Sequence, residues 1–205
     1  MAERIDKLSV SLIASPTMRR YLRVRHPGAK YFFTVNLQQR EGSRLLIDHI
    51  DALREAIVRT RRAHPFEIDA IVVLPDHLHA LWTLPAGDAD YSMRWAAIKA
   101  RFSRAIAHGE TLSASRLRRR ERGIWQRRFY EHMIRDGLDL KNHIDYIHRN
   151  PVKHGWTLRA ADWPWSSFHR HVRAGLLPAD WGSEPPQSSD AQIEHSTHPT
   201  LGLAT

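Results

Sequence analysis

Two histidines separated by one residue, His77 and His79, lie in the apolar stretch LPDHLHALW. If this stretch is a β-strand, both imidazoles project from the same face, because strand side chains alternate. Two imidazoles on one face can bind a single divalent metal ion. The alternative is that they only make surface hydrogen bonds, since the chain contains 14 histidines. A metal site therefore needs a third ligand from elsewhere in the chain.

A second set of candidate residues lies in DYIHRNPVKHG, about seventy residues downstream. Tyr146 and Asn150 are four residues apart, so they share one face of a helix, and His143 lies on that face as well. A phenol can act as a nucleophile, and an amide oxygen can bind a metal ion. The alternative is structural: Tyr146 packs half-buried and Asn150 ends the helix before Pro151.

Together the two stretches are typical of metal-assisted phosphoryl transfer. A metal at His77, His79 and Asn150 would polarise a phosphate, and the oxygen of Tyr146 would attack phosphorus. A phenol normally titrates near pH 10, so this one must be activated. A phosphotyrosine would retain the energy of the broken bond, which allows strands to be rejoined without ATP.

The elements that must position these residues follow the order βαββαβ and then a further helix. A cap at Ser43 and an apolar stripe predict the first helix, and a second stripe predicts another over 91–107. The last helix begins near Asp136 or Asp139 and ends at Asn150, before Pro151. The four strands are predicted at 31–38, 67–74, 77–84 and 123–134.

This order predicts the α+β class, with a ferredoxin-like antiparallel sheet and an additional C-terminal helix that carries Tyr146. The 205 residues suggest one domain over 1–182, with an ordered core from about 18 to 182. Residues 183–205 are rich in Ser, Pro, Gln and Thr, which predicts a disordered tail. The chain has no cysteine, no signal peptide and no apolar run long enough to span a membrane, so we expect a cytoplasmic, nucleoid-associated location.

The net charge of +9 and the pI of about 10.4 favour a polyanionic partner, and nucleic acid is the most common one. Residues 116–128 carry seven arginines and one glutamate, and the part before the fourth strand is predicted as a loop. Arginine there would clamp phosphates. Lys153, near Tyr146, could hold a phosphate, assist the phenol or simply face solvent. Trp165 could stack on an unpaired base or staple the C-terminal segment to the sheet. The candidate DNA contacts are Arg116, Arg118, Arg119, Arg120, Arg127, Arg128, Lys153 and Trp165.

The sequence resembles the REP-associated tyrosine transposases, a bacterial branch of the single-tyrosine HUH transposases. The resemblance runs from about Met18 to Gly182. It is carried by RRYLRVRHPGAKYFFTVNLQQR, VVLPDHLHALWTLP, DADYSMRWAAIKARFS, GIWQRRFYEHMIRD, HIDYIHRNPVKHGW and DWPWSSFHRHVRAG.

The resemblance implies that His77 and His79 are the HUH pair, Tyr146 the nucleophile and Asn150 the third metal ligand. It implies cleavage and rejoining of single-stranded DNA beside palindromic REP hairpins, through a 5′-phosphotyrosine and a free 3′-OH. It also implies Mg²⁺ or Mn²⁺, whereas imidazole ligands alone would suit Zn, Ni or Fe. The chain would act as a monomer or a homodimer.

Two other functions fit the same residues. A ferredoxin-like sheet with surface aromatic residues can bind nucleic acid without catalysis. A metal-dependent nuclease could use water as the nucleophile, in which case Tyr146 would only pack. A covalent protein–DNA adduct distinguishes both from a strand transferase.

Overall fold

The sequence folds around a four-stranded antiparallel sheet in a computed structural model that describes residues 23, 25–107, 115, 118 and 122–182. The strands are β1 (Lys30–Asn36), β2 (Glu67–Val73), β3 (His77–Thr83) and β4 (Tyr130–Met133). The helices are α1 (Leu45–Asp48), α2 (Ile50–Ala63), α3 (Tyr91–Ala105), α4 (Gly137–Lys153) and α5 (Phe168–Arg173), with a 3-10 turn at Ala160–Asp162 before α5.

The order of the strands across the sheet is β2-β3-β1-β4, and each neighbouring pair is antiparallel. Together with the chain order of strands and helices, this is the ferredoxin-like arrangement that the sequence predicts. β3 is a central strand, which explains why six of its seven residues are buried. The predicted α+β class is confirmed.

The sheet has an apolar core on each face. On one face, α2 and α3 cover alternate residues of the central strands, among them Phe33 and Trp82, and the predicted stripe of α3 is buried there. On the other face, α4 covers Phe32 and Leu81 through Tyr146 and its neighbours. The His77 and His79 side chains belong to this second face, because β3 turns Leu78 and Ala80 toward the first.

Three predicted elements differ in detail from the structure. The fourth strand is interrupted: Trp125 pairs with Leu37 as an isolated bridge, and regular pairing with β1 begins only at Tyr130. The first helix is broken at His49 into α1 and α2. Within the Arg-rich stretch, which was predicted as a loop, Arg118 is helical.

Pro151 does not end the last helix, contrary to the prediction. Proline removes one N–H donor, but the residues after it can still donate to carbonyls behind them. The N–H of His154 donates to the carbonyl of Asn150 at 3.0 Å, and α4 therefore continues to Lys153. At the other end, the carboxylate of Asp136 accepts the N–H of Asp139 at 2.8 Å and caps the helix, which begins close to the predicted start.

The outer edge of β2 is covered by the segment that follows α4. The Val73 N–H donates to the Trp165 carbonyl at 2.8 Å, and the Ser167 N–H donates to the Ile71 carbonyl at 2.8 Å. The Ile71 N–H reaches the Ser167 hydroxyl at 2.9 Å, and the Trp163 indole N–H reaches the Val73 carbonyl at 2.9 Å. This edge strand therefore has partners for its outward-facing backbone groups from Ile71 to Val73.

The predicted tail at 183–205 and the first residues of the chain lie outside the described residues, so the predicted domain boundary after Gly182 stays a prediction. In the part of the chain that the structure describes, no helix combines the length and apolarity needed to cross a membrane.

Truncation to alanine should cost very different amounts of stability at two positions on α2. Leu53 is fully buried, whereas Val58 on the same helix is 41% exposed. Leu53→Ala should lower the free energy of unfolding by about 2–5 kcal/mol, because it removes buried methyl groups and leaves a cavity. Val58→Ala, the matched control, should change it by about 0.5 kcal/mol or less. Urea denaturation measures both, and equal losses would contradict this account of the core.

Candidate active site

The two strand histidines lie side by side on the face of the sheet that α4 covers. Their ring centroids are 5.0 Å apart, and both side chains are buried. They come from β3, where the alternation of side chains places both on one face. The structure therefore provides the shared orientation that the spacing of His77 and His79 predicts.

Each of these histidines is oriented by a hydrogen bond at Nδ1. The Nδ1 of His77 lies 2.6 Å from the carboxylate of Asp76, and the Nδ1 of His79 lies 2.9 Å from the hydroxyl oxygen of Thr34. Metal-binding histidines commonly use one ring nitrogen in this way, which leaves the other for the metal. Both rings are thus held with Nε2 as the nitrogen available to a ligand.

The charges around the pair favour an ionised carboxylate and a neutral imidazole. Burial raises the pKa of Asp76, but its hydrogen bonds and ion contacts with His77 and Arg40 outweigh this and lower it to about 2. Complete burial, reinforced by the charge of His77, holds the pKa of His79 well below its usual range. A neutral imidazole has the free lone pair that a metal ion requires.

Tyr146 packs against one member of this pair, His79. It is 4% exposed, and its ring centroid is 5.1 Å from that of His79 and 5.8 Å from that of Phe32. The phenol comes from the middle of α4, whose capped N-terminus and packing on the sheet fix its position. The structure therefore brings the tyrosine of one predicted stretch onto the histidines of the other.

Asn150 provides the test of whether a metal ion fits here. It is fully buried, and neither its amide oxygen nor its amide nitrogen has a hydrogen-bond partner; the same is true of Nε2 of His79. Asn150 lies next to His79: it raises the pKa of His79, against the stronger lowering by burial. The two side chains do not, however, meet the geometry of a hydrogen bond. Buried polar atoms are rarely left without partners, so this set of N and O donors fits a bound cation.

Lys153, one turn after Asn150, lies on the tyrosine. Its Nζ is 5.1 Å from the centroid of the Tyr146 ring. An ammonium group close to a phenol could stabilise negative charge that develops on it or on a nearby phosphate. The Lys153 ammonium group therefore lies close to the tyrosine ring, and its role stays a prediction.

A second His/Asp cluster joins β4 to the start of α4. Ligand atoms of His132, Asp139 and His143 all lie within 4.8 Å of one another, a spacing that a metal ion could use. The Asp139 carboxylate, however, already accepts hydrogen bonds from the Arg135 backbone and guanidinium, both at 3.0 Å. Burial raises the pKa of Asp139, but these bonds and that from His132 hold it well below its usual range. With a guanidinium in place, the cluster acts as a clamp on the helix that carries Tyr146.

An open cavity of about 360 Å³ adjoins His77 on the outer side of the pair. Its walls include Arg40 and Arg44, which supply positive charge, and Trp156, which is 45% exposed. Cationic groups bind phosphates, and an exposed indole can stack on a base. The cavity thus brings cationic and aromatic side chains next to the histidine pair.

The candidate DNA contacts differ in their placement. Arg118, Arg127 and Arg128 are exposed on the surface, as phosphate contacts must be. Trp165 is half-buried and packs against both cores, which is the stapling arrangement rather than an open stacking platform. The remaining candidates lie outside the described residues: they are Arg116, Arg119 and Arg120.

Two residues that support the histidines were missed in the sequence. One is Asp76, whose position directly before His77 is a signal for a supporting carboxylate. Thr34 is the cross-strand partner of His79, so it could be found only once the register of β1 against β3 was known. Asp139 was assigned only to the start of α4.

Comparison with known proteins gives the chain a family. It is 47% identical over 167 residues to the REP-associated tyrosine transposase of Escherichia coli (strain K12), a match that covers 82% of this chain and 93% of that protein. A relative from Haemophilus influenzae is 48% identical over 169 residues, covering 82% of this chain and 96% of its own length. No protein-family model matches the chain.

A solved structure agrees with these relatives. It shows a REP-associated tyrosine transposase bound to a REP hairpin, and it matches this chain with a TM-score of 0.72 and 46% identity over 84% of this chain and 96% of the other. Identity at this level over most of both chains exceeds what a shared fold alone would give. The chain is therefore a transposase, and it belongs to the family of REP-associated tyrosine transposases.

Proposed function

We propose that this chain cuts and rejoins single-stranded DNA beside REP hairpins, through a covalent 5′-phosphotyrosine at Tyr146. The observation that carries the proposal is the convergence of Tyr146 with His77, His79 and Asn150 in one buried cluster. The related structure, which holds a REP hairpin, supports the choice of DNA.

In the proposed reaction, Tyr146 is the nucleophile and Lys153 a supporting cation. The Tyr146 oxygen forms a bond to phosphorus as the bond from phosphorus to the 3′-oxygen breaks, and the phenolic proton is lost while the 3′-oxygen gains one. Lys153 stabilises the charge on the phenol oxygen. Attack by the 3′-OH on the phosphotyrosine reverses these bonds and joins a strand.

His77, His79 and Asn150 would hold a divalent cation, which when bound would polarise the phosphate. Histidine ligands alone would suit several transition metals, but the amide oxygen of Asn150 and the oxygens of a phosphate favour Mg²⁺ or Mn²⁺. Asp76 and Thr34 would keep the imidazoles in the required orientation.

The exposed cations would place the DNA backbone on the surface around this cluster. Arg40 and Arg44 line the cavity next to His77, and Trp156 can stack on a base there. Arg118, Arg127 and Arg128 extend positive charge beyond it, and the exposed part of Trp165 remains a proposed contact.

The proposal is tested with a labelled single-stranded DNA hairpin that carries unpaired flanks. The protein is incubated with it, with Mn²⁺ and without, and then boiled in detergent. We expect label to migrate with the protein only when Mn²⁺ is present. Cleaved DNA without protein-linked label would indicate attack by water, and binding without cleavage would indicate a binding protein.

The arginines predict a specific salt dependence. Neutralising an arginine that contacts a phosphate should reduce the slope of log affinity against log salt by about 0.7 for single-stranded DNA. The double variant Arg118→Gln/Arg128→Gln should therefore flatten the slope by about 1.4. Arg54→Gln/Arg59→Gln removes the same charge from exposed positions on α2 and is the control. Equal slopes for the two double variants would place the DNA elsewhere.

A further inference from the structure

A larger cavity lies on the opposite face of the sheet from Tyr146. Its volume is about 700 Å³, within the range of about 300–1,000 Å³ that is typical of ligand sites. It is formed between α3 and residues 122–129, with Arg23 and Arg25 at one side. Trp95, Trp125 and Phe129 form part of its wall, and these rings belong to the core under α2 and α3, whereas Tyr146 belongs to the other core.

The wall of this cavity is rich in hydrogen-bond donors. Lys99 lines it from α3. Arg25, Arg104 and Arg127 add positive charge. Among the described residues that line the cavity there is no carboxylate. An acceptor-rich, negatively charged ligand would satisfy these donors.

Arg122 and Arg23 also line the cavity, but both are engaged in the fold and are not counted as ligand contacts. Arg122 donates to the carbonyls of Ser103 and Ile106, which ties residues 122–129 to the end of α3. Arg23 packs over Phe129 at 4.0 Å and lies 3.6 Å from Glu131. Because these contacts hold both side chains in place, they form fixed parts of the cavity wall.

Lys99 is placed between the aromatic rings. Its Nζ lies 5.8 Å from the centroid of Trp125 and 5.5 Å from that of Phe129, and it donates to the Gln126 carbonyl at 2.9 Å. Burial, together with the charge of Arg23, lowers the pKa of Lys99 to about 8. A phosphate next to Lys99 would offset this cost of burial, and the rings would provide an apolar surface for a base.

We propose that this cavity binds one unpaired nucleotide of the DNA strand, with its base against Trp125 and Phe129 and its phosphate near Lys99. The inference rests on the proposed function, because it takes single-stranded DNA as the ligand. It adds a nucleotide-binding position that is separate from the histidine pair and on the other side of the sheet.

The position of β4 at the edge of the sheet would allow a single DNA strand to reach both sites. Phe129 and Tyr130 are consecutive, but Phe129 lines the cavity whereas Tyr130 packs in the core that contains Tyr146. β4 is the last strand of the sheet, so a DNA strand can pass around it. The exposed Arg128 lies beside this crossing and can hold a phosphate there.

The test is an abasic scan of a DNA hairpin with unpaired flanks of about ten nucleotides, a length within the range of single-strand sites. Affinity is measured by fluorescence anisotropy without divalent metal, so that no cleavage occurs. Removing the base at one flank position should weaken binding to the wild-type protein about tenfold, the loss typical of a stacked base. Removing the other unpaired bases should cost less.

Two variants connect that position to the cavity. Lys99→Met removes the charge and keeps the length of the side chain, and Ala100→Phe adds bulk at an exposed position of the wall without disturbing the core. Each should weaken binding of the intact hairpin. In each variant, removing the base on which the wild-type affinity depends should then change the affinity little. Arg62→Met, an exposed position on α2, is the charge control and should keep the wild-type pattern.

The outcomes separate this inference from the proposed function. A flat scan for the wild-type protein, or a pattern that neither Lys99→Met nor Ala100→Phe changes, overturns the nucleotide site, and a covalent adduct at Tyr146 would still support the nicking reaction. A sensitive base that both variants abolish supports the site, even where no adduct forms and the nicking function fails.

Discussion

Tyr146→Phe is expected to abolish both DNA cleavage and the covalent adduct. The change removes one oxygen and almost no volume from a ring that packs against His79 and Phe32, so folding and hairpin affinity should hardly change. Without the nucleophile no step of the reaction begins, and the rate should fall by about 10⁴-fold or more. A denaturing gel with labelled hairpin DNA measures both products.

Tyr130→Phe is the matched control for this experiment. Tyr130 lies on β4 and packs against the same Phe32, at a centroid distance of 6.3 Å, so it is the alternative nucleophile nearest to the site in the described residues. The Tyr130 variant should still form the adduct. Loss of the adduct in Tyr130→Phe together with its retention in Tyr146→Phe would assign the nucleophile to the strand. A phosphotyrosine linked to the 3′ side of the break would contradict the proposed polarity.

The histidine pair gives the second large effect. His77→Ala or His79→Ala should reduce cleavage below detection, because one imidazole and an amide cannot hold a cation in a fixed position. Hairpin binding should persist, since the surface arginines are unchanged. Cleavage is measured over a range of Mn²⁺ concentrations, and survival of cleavage in both variants at low Mn²⁺ would disprove the metal assignment.

Two further variants serve as comparisons for the histidine variants: one should have an intermediate effect on cleavage, the other none. Asp76→Asn weakens the hydrogen bond that orients His77, and loss of such a supporting group typically costs about 10–100-fold in metal affinity. Its cleavage should therefore recover at high Mn²⁺, unlike that of the alanine variants. His49→Ala removes an exposed histidine between α1 and α2 and should have no effect.

The parts of the site that sequence reasoning could place are those that depend on local periodicity. Alternation along a strand places His77 and His79 on one face, and a four-residue interval places Tyr146 above Asn150 on a helix. The order of the elements is enough to predict the sheet, and therefore which strand meets which helix. The roles of these four residues in the reaction remain predictions, whereas their convergence is a feature of the structure.

What the sequence could not show depends on register and on breaks in regular structure. Thr34 supports His79 only because β1 pairs with β3 in one particular register. Pro151 indicated the end of a helix, but one missing donor in the last turn does not stop α4. The run 123–134 has the composition of one strand, yet it bends at Arg127 and Arg128. That bend builds the wall of the cavity that contains Lys99.

The segment that lies along β2 has a consequence for the chain as a whole. An open edge strand exposes a row of amide and carbonyl groups to which another molecule can add a strand, and this is a common route to aggregation. Here Trp163, Trp165 and Ser167 take up those groups from within the same chain. The C-terminal part that follows the tyrosine helix thus protects the protein against uncontrolled self-association, in addition to any contact it makes with DNA. We therefore expect a shortened chain that keeps every proposed catalytic residue but lacks this segment to lose its activity by aggregation.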